Sequence, residues 1–198
     1  QNFVDYLKGI VSVDSGLYSR YIFRGITFGD DPVYKLSINA HYRQLAISIF
    51  RNYDFGKKEN NENDFFVDLG YVTVSNLRLS MGFSFYNFKF DGKWEDNKEM
   101  HLDLGMKSSL NPKLSFNTPL NTGGGNYIEA SASKYFPFEE NSGVLTALKL
   151  GFDDTLYRKK SGLSHIEAGI SFHSQTNNNF SVTPSIHFSK ALEDDLND

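Results

Sequence analysis

Residues Leu77 to Phe88 alternate strictly in polarity. Leu77, Leu79, Met81, Phe83 and Phe85 occupy one set of positions, and Arg78, Ser80, Gly82, Ser84 and Tyr86 the other. A period of two is the side-chain period of an extended strand, so this stretch presents one oily face and one polar face. An oily face of this kind needs a partner. It meets either a second sheet in a soluble sandwich or lipid, in which case the polar face lines a closed barrel.

The pattern repeats along the chain. Tyr34, Leu36, Ile38, Ala40 and Tyr42 alternate with Lys35, Ser37, Asn39 and His41. Met100, Leu102, Leu104 and Met106 alternate with His101, Asp103, Gly105 and Lys107, and Ile166, Ala168, Ile170 and Phe172 with His165, Glu167, Gly169, Ser171 and His173. Similar segments begin at Leu45, Phe65, Leu114, Tyr127, Val144 and Phe180. Residues Gly9 to Thr27 read as a long extended segment in which Arg20 and Arg24 share a face. No segment of useful length has helical periodicity, which predicts an all-β chain. Residues 55–64 and 89–98 read as long polar loops, and Pro137 to Gly143 as a turn. Long connections then alternate with short ones, as external loops and periplasmic turns do in outer-membrane barrels.

Composition separates the alternatives further. The 198 residues suit one domain, spanning 1–198 with an ambiguous N-terminal segment 1–8 and an acidic tail 193–198. A net charge of −4 gives no basic field for nucleic acid. Cysteine is absent, which removes disulfides, thiolate metal sites and thiol nucleophiles. Eighteen Phe and eleven Tyr accompany a mean hydropathy of −0.42, and no run approaches the ~18 apolar residues of a spanning helix. A barrel reconciles these facts, because every second strand residue is polar. The expected fold is a transmembrane antiparallel up-and-down β-barrel of about ten to twelve strands, twelve favoured because single-chain bacterial barrels are even-numbered. A direct count reaches about eleven; a break at Asp14-Ser15-Gly16 restores twelve. Pro184, unable to donate a ladder bond, marks a bulge or an edge in the last strand. The opening at Gln1 reads as a processed N-terminus left by signal-peptide removal.

Ser19-Arg-Tyr-Ile-Phe-Arg-Gly-Ile26, followed by Gly29-Asp-Asp-Pro32, resembles the N-terminal signature of the TorF-type putative porins, small bacterial outer-membrane barrels. Arg20 stands where that family typically has aspartate. Tyr127 to Tyr135 and Ser185 to Leu192 resemble further segments of the same family. The resemblance implies a Gram-negative outer-membrane location and a channel role, and carries no catalytic residues.

Alternation places Arg20, Arg24, Lys35, Arg78 and Lys149 on the polar face with Asp68, Asp103, Glu129 and Glu167. In a narrow barrel such charges pair and close the lumen. In a hydrated one they form a path for a small polar or charged solute. His101 and His165 join this face, as do His41, His173 and His187. Inward histidines are expected of any lipid-embedded barrel, and no spacing among them suggests a metal site. Gly70, Gly82, Gly105, Gly151 and Gly169 also point inward, as strand-bending sites. Ser164 and Ser174 flank His165 and His173, but adjacent strand residues face opposite ways, so no Ser–His pair and no enzymatic activity are expected. No cofactor is expected either. The partners are outer-membrane lipid, a polar solute and other outer-membrane proteins, with a non-conducting accessory barrel as the alternative role.

Overall fold

The computed structural model describes residues 11–72, 76–90, 92–121, 124–177 and 179–192. The expected N-terminal segment 1–8 and acidic tail 193–198 lie outside the described residues. The strands are β1 (Val11–Tyr18), β2 (Tyr21–Phe23), β3 (Ile26–Gly29), β4 (Val33–Tyr42), β5 (Leu45–Asp54), β6 (Glu59–Val72), β7 (Leu77–Phe90), β8 (Lys93–Met106), β9 (Lys113–Pro119), β10 (Asn126–Glu139), β11 (Ser142–Asp154), β12 (Gly162–Asn177), β13 (Phe180–Val182) and β14 (Ser185–Ala191).

The chain is all-β. Twelve strands form one antiparallel sheet in up-and-down order, β1-β4-β5-β6-β7-β8-β9-β10-β11-β12-β13, with β14 also on β12. β13 and β14 occupy one position beside β12, separated at Thr183-Pro184 where the ladder lapses. Pro184 thus interrupts the last position, as a residue without an N–H must. Twelve strands among the described residues therefore fill eleven positions: the even strand number comes from the split of the last position and not from the expected break at Asp14-Ser15-Gly16, since β1 runs unbroken through those residues. Among the described residues β1 and β14 form no ladder with each other, so the sheet is not closed as a barrel.

The sheet is apolar outside and polar inside. Among the described residues only Tyr21, Val33 and Tyr127 are buried hydrophobics, while fourteen polar or charged residues are buried. Met81, Phe83 and Phe85 are exposed on β7, and Ile186 and Phe188 on β14, whereas Ser84 between them in pattern is buried. The oily face of Leu77–Phe88 is thus the outer surface, and the second sheet of a soluble sandwich is absent from the described residues.

Three expectations fail for identifiable reasons. The polar stretches 55–64 and 89–98 are not long loops. β6 begins at Glu59, and β7 and β8 stay paired up to Phe90 and Lys93. Ladder bonds need backbone groups and not apolar side chains, so polar cross-strand pairs extend the sheet past its oily band. Phe90 pairs with Lys93, and Gly92 between them has φ +78°, a backbone that suits a tight hairpin. Connections at the two ends consequently overlap in length, 55–58, 91–92, 120–125 and 155–161 against 43–44, 73–76, 107–112, 140–141 and 178–179. β10 likewise continues through Pro137, where the register shifts, so the expected turn shrinks to residues 140–141.

The third correction concerns Gly9 to Thr27. This is not one strand. The chain leaves the sheet after Tyr18 and returns as a separate two-stranded hairpin, β2–β3, before Val33 begins β4. Arg20 and Arg24 therefore do not share a face. Arg20 is exposed beside Asp30 at 3.8 Å, and Arg24 stands at the hairpin's tip.

Candidate functional site

The β2–β3 hairpin lies inside the curve of the large sheet. It contacts side chains from β6 to β12, a span that no position on the outer surface could reach. Tyr21 donates to Glu62 on β6 at 2.9 Å, Phe23 packs on Tyr86 of β7, Phe28 on Phe88, and Gly25 abuts His165 of β12. We call the end of the sheet where this happens the upper end.

Phe23 and Ile26 pair across a two-residue turn, Arg24-Gly25, with φ +51° and +79°. Positive φ at both centres is the turn that matches strand twist. It strains Arg24, which carries a Cβ. Gly25 is required twice over, because a Cβ there would sit 2.4 Å from the Cβ of His165.

What holds Arg24 in this conformation is its partner. Arg24 Nη2 donates to Glu99 Oε2 at 2.9 Å and Nη1 to Glu99 Oε1 at 3.1 Å, a two-pronged charge-assisted pair. Nη1 also donates to the Tyr157 hydroxyl at 2.7 Å and Nη2 to Asn117 Oδ1 at 3.1 Å. The guanidinium lies 4.4 Å from the ring centroid of Tyr127 and 4.8 Å from that of Phe23. Glu99 is fully buried and also accepts from Asn97 and from the Tyr157 hydroxyl. Burial, which Arg24 opposes and Glu99 reinforces, holds the Tyr157 phenol well above its ordinary value, so this hydroxyl remains a donor. At the upper end the inner face thus carries a network in which Arg24 and Glu99 are both satisfied.

His165 and Ser164 depart from simple alternation. Gly151 pairs with His165 and Phe152 with Leu163, so Ser164 is the extra residue of a bulge. Both side chains consequently turn inward, with Ser164 Oγ 3.0 Å from His165 Nδ1. The expectation that these neighbours face opposite ways fails for that reason. Both are fully buried, and the His165 ring stacks on Tyr127 with an interplanar angle of 8°. The pair is packing for the hairpin tip.

Away from the hairpin the inner face carries local pairs. Asp68 meets His101 at 2.5 Å, and Ser84 Oγ is 3.3 Å from the other ring nitrogen. Glu167 lies 3.3 Å from Lys149 and 3.5 Å from His187. Asp103 pairs with Lys113 at 2.9 Å. Lys35 stands over the rings of Tyr18 and Tyr21. Glu129 accepts from the Tyr127 hydroxyl at 3.3 Å. Arg78 is exposed at the lower end, near Gly105. The inward glycines serve these side chains, since Gly82, Gly151 and Gly169 each pair directly with a histidine, His101, His165 and His187, whose ring occupies the space of the missing side chain.

Of the residues expected on the polar face, Arg24, Glu129 and His165 gather at the hairpin. Lys35, Asp68, His101, Asp103, Lys149 and Glu167 remain on the wall, and Arg20 and Arg78 stand apart at opposite ends. Glu99, Tyr157, Asn117 and Glu62 complete the site without having been expected. A signal for Glu99 does exist: the alternation starting at His101 continues backwards through Glu99, Asn97 and Glu95. Among the described residues no group of three or more His, Asp or Glu side chains is arranged to hold a metal.

The fold and the site together define a class, an antiparallel up-and-down sheet with an apolar exterior and an interior hairpin. No protein-family model matches the chain, and neither the curated proteins nor the solved structures give a significant match.

Proposed function

We propose that the sheet closes into a barrel in the outer membrane of a Gram-negative bacterium, and that it is a porin-like channel for a small polar or charged solute, stoppered at its upper end by the β2–β3 hairpin. The observation that carries the membrane reading is the inversion of polarity: large apolar side chains cover the outer face while Glu99, Asp64, Asn52 and His165 are buried on the inner one. A water-soluble protein cannot leave so continuous an apolar surface bare, and lipid requires it. The resemblance of Ser19 to Pro32 to the TorF-type family agrees with this location. The paired inner charges and the hairpin make the path narrow, and solute selection falls to Lys35, Asp68, His101, Asp103, Lys149 and Glu167 on the wall below.

A second reading is favoured by a specific observation, the complete satisfaction of Arg24 and Glu99. A stopper held this firmly suits a non-conducting barrel that serves a larger outer-membrane assembly. Reconstitution into planar bilayers separates the two. A channel gives discrete, ion-selective conductance steps from the wild-type protein, and an accessory barrel inserts without them. Extraction into buffer without detergent, with the fold intact, would remove the membrane reading.

A further inference from the structure

Beside the hairpin, at the upper end, lies a cavity of about 360 Å³ enclosed by β2–β3 on one side and by β6, β7 and the 155–161 connection on the other. Its walls are the rings of Tyr21, Phe28, Phe88 and Tyr157, and Glu62 and Lys57 are among its polar lining residues. Glu62 is more than nine-tenths buried. Its Oε1 accepts from Tyr21 at 2.9 Å, while its Oε2 has no hydrogen-bond partner among the described residues. Lys35 stands over the Tyr21 ring at 4.1 Å and does not bond Oε2, so this buried oxygen still calls for a donor, best a cationic one. The rings of Phe28, Phe88 and Tyr157 attract the same kind of group. The exposed Lys57 ammonium has no ion-pair partner among the described residues, unlike Lys89, which also lines the cavity and is paired with Glu59. An anionic group is favoured beside Lys57, while the lining carboxylate of Glu95 disfavours a ligand that is anionic as a whole.

The geometry points to a binding site for a small zwitterion of the α-amino-acid type with an apolar side chain: its ammonium on Glu62, its carboxylate toward Lys57, its side chain among Tyr21, Phe28 and Phe88. The volume falls within the range of small-molecule sites. This goes beyond the channel reading and does not depend on conduction, since an occupied cavity is compatible with an open or a closed lumen. One rival occupant is simpler. Asp64 follows Glu62 on the same face of β6 and is also buried, accepting from the Asn87 amide at 3.2 Å. A proton held between the two carboxyl groups would satisfy Glu62 with no ligand at all.

Equilibrium dialysis of the full chain in detergent micelles, against L-phenylalanine, N-acetyl-L-phenylalanine and phenylethylamine, tests this. Saturable phenylalanine binding is expected, at least about tenfold weaker once the amine is acetylated, a difference equal to about 1.4 kcal/mol. Phenylethylamine, lacking the carboxylate, binds severalfold more weakly than phenylalanine. Glu62→Gln lowers phenylalanine affinity by about tenfold or more. Lys57→Gln, on the surface and harmless to folding, abolishes the preference for phenylalanine over phenylethylamine. No saturable binding, which is the shared-proton outcome, would overturn the proposal. So would equal affinity for the acetylated and free amino acid, or an undiminished preference in Lys57→Gln.

Discussion

The upper and lower parts of the interior solve the same electrostatic problem in opposite ways. Above, Arg24 and Glu99 are shut away from water, and their network draws on the hairpin, β8, β9 and the 155–161 connection. Below, Lys149 with Glu167 and Lys113 with Asp103 form pairs between neighbouring positions of the wall, with the lysines partly exposed. A buried charge must be satisfied by a fixed partner, whereas a wall charge facing water can exchange its partner for solvent. On the proposed channel reading, the upper network serves as a structural closure and the lower pairs are the part of the interior free to meet a solute.

That contrast ranks the consequences of substitution. Arg24→Ala leaves Glu99 buried without its cation, and chemical denaturation in micelles should register a loss of about 3–5 kcal/mol. On the outer face, Phe83→Lys should cost about 2–4 kcal/mol if that face meets lipid, and almost nothing if it meets water; refolding into vesicles compared with refolding in detergent distinguishes these. Gly25→Ala sets a Cβ against His165 in a strained turn, and about 1–3 kcal/mol should be lost, again confined to the upper end. Glu167→Gln, in the lower wall, should change stability by less than about 1 kcal/mol while altering cation-over-anion selectivity in bilayers. If Glu167→Gln proved as damaging as Arg24→Ala, the distinction between the two regions would collapse.

Tyr157 adds a pH test to the same comparison. Its phenol holds its proton above the ordinary value in the folded chain, so unfolding releases that proton once the pH exceeds the ordinary phenol value of about 10. Between those two values the unfolded state binds fewer protons, and stability falls as pH rises. Tyr157→Phe should remove that part of the alkaline loss, as measured by denaturation midpoints across the alkaline range.

The alternation visible in Leu77–Phe88 was enough to read the class of fold, because a period of two fixes both strand and face. It was equally enough to put Lys149, Glu167, Asp68 and His101 on one surface. Register was not legible, and with it went the pairing of inward histidines with inward glycines on the adjacent strand, although both sets of residues were in view. Hydropathy misled at 55–64 and 89–98, where polar residues continue a ladder that depends on backbone alone. The hairpin was hidden for a different reason. Tyr18 to Thr27 alternates well enough to continue β1, whereas the chain leaves the sheet at Ser19-Arg20 and doubles back through a positive-φ turn at Arg24-Gly25 that tertiary contacts with Glu99 and His165 hold in place. Ser164 and His165 escaped because a bulge suspends the alternation rule at one residue.

The central claim, that the β2–β3 hairpin stoppers a membrane-embedded lumen, is tested most directly by the unitary conductance of Arg24→Ala beside wild type in planar bilayers. With both proteins shown to be folded, the account predicts larger conductance steps from Arg24→Ala, because the hairpin loses the clamp that seats it. Identical conductance from the two, or no conductance from either, would contradict it.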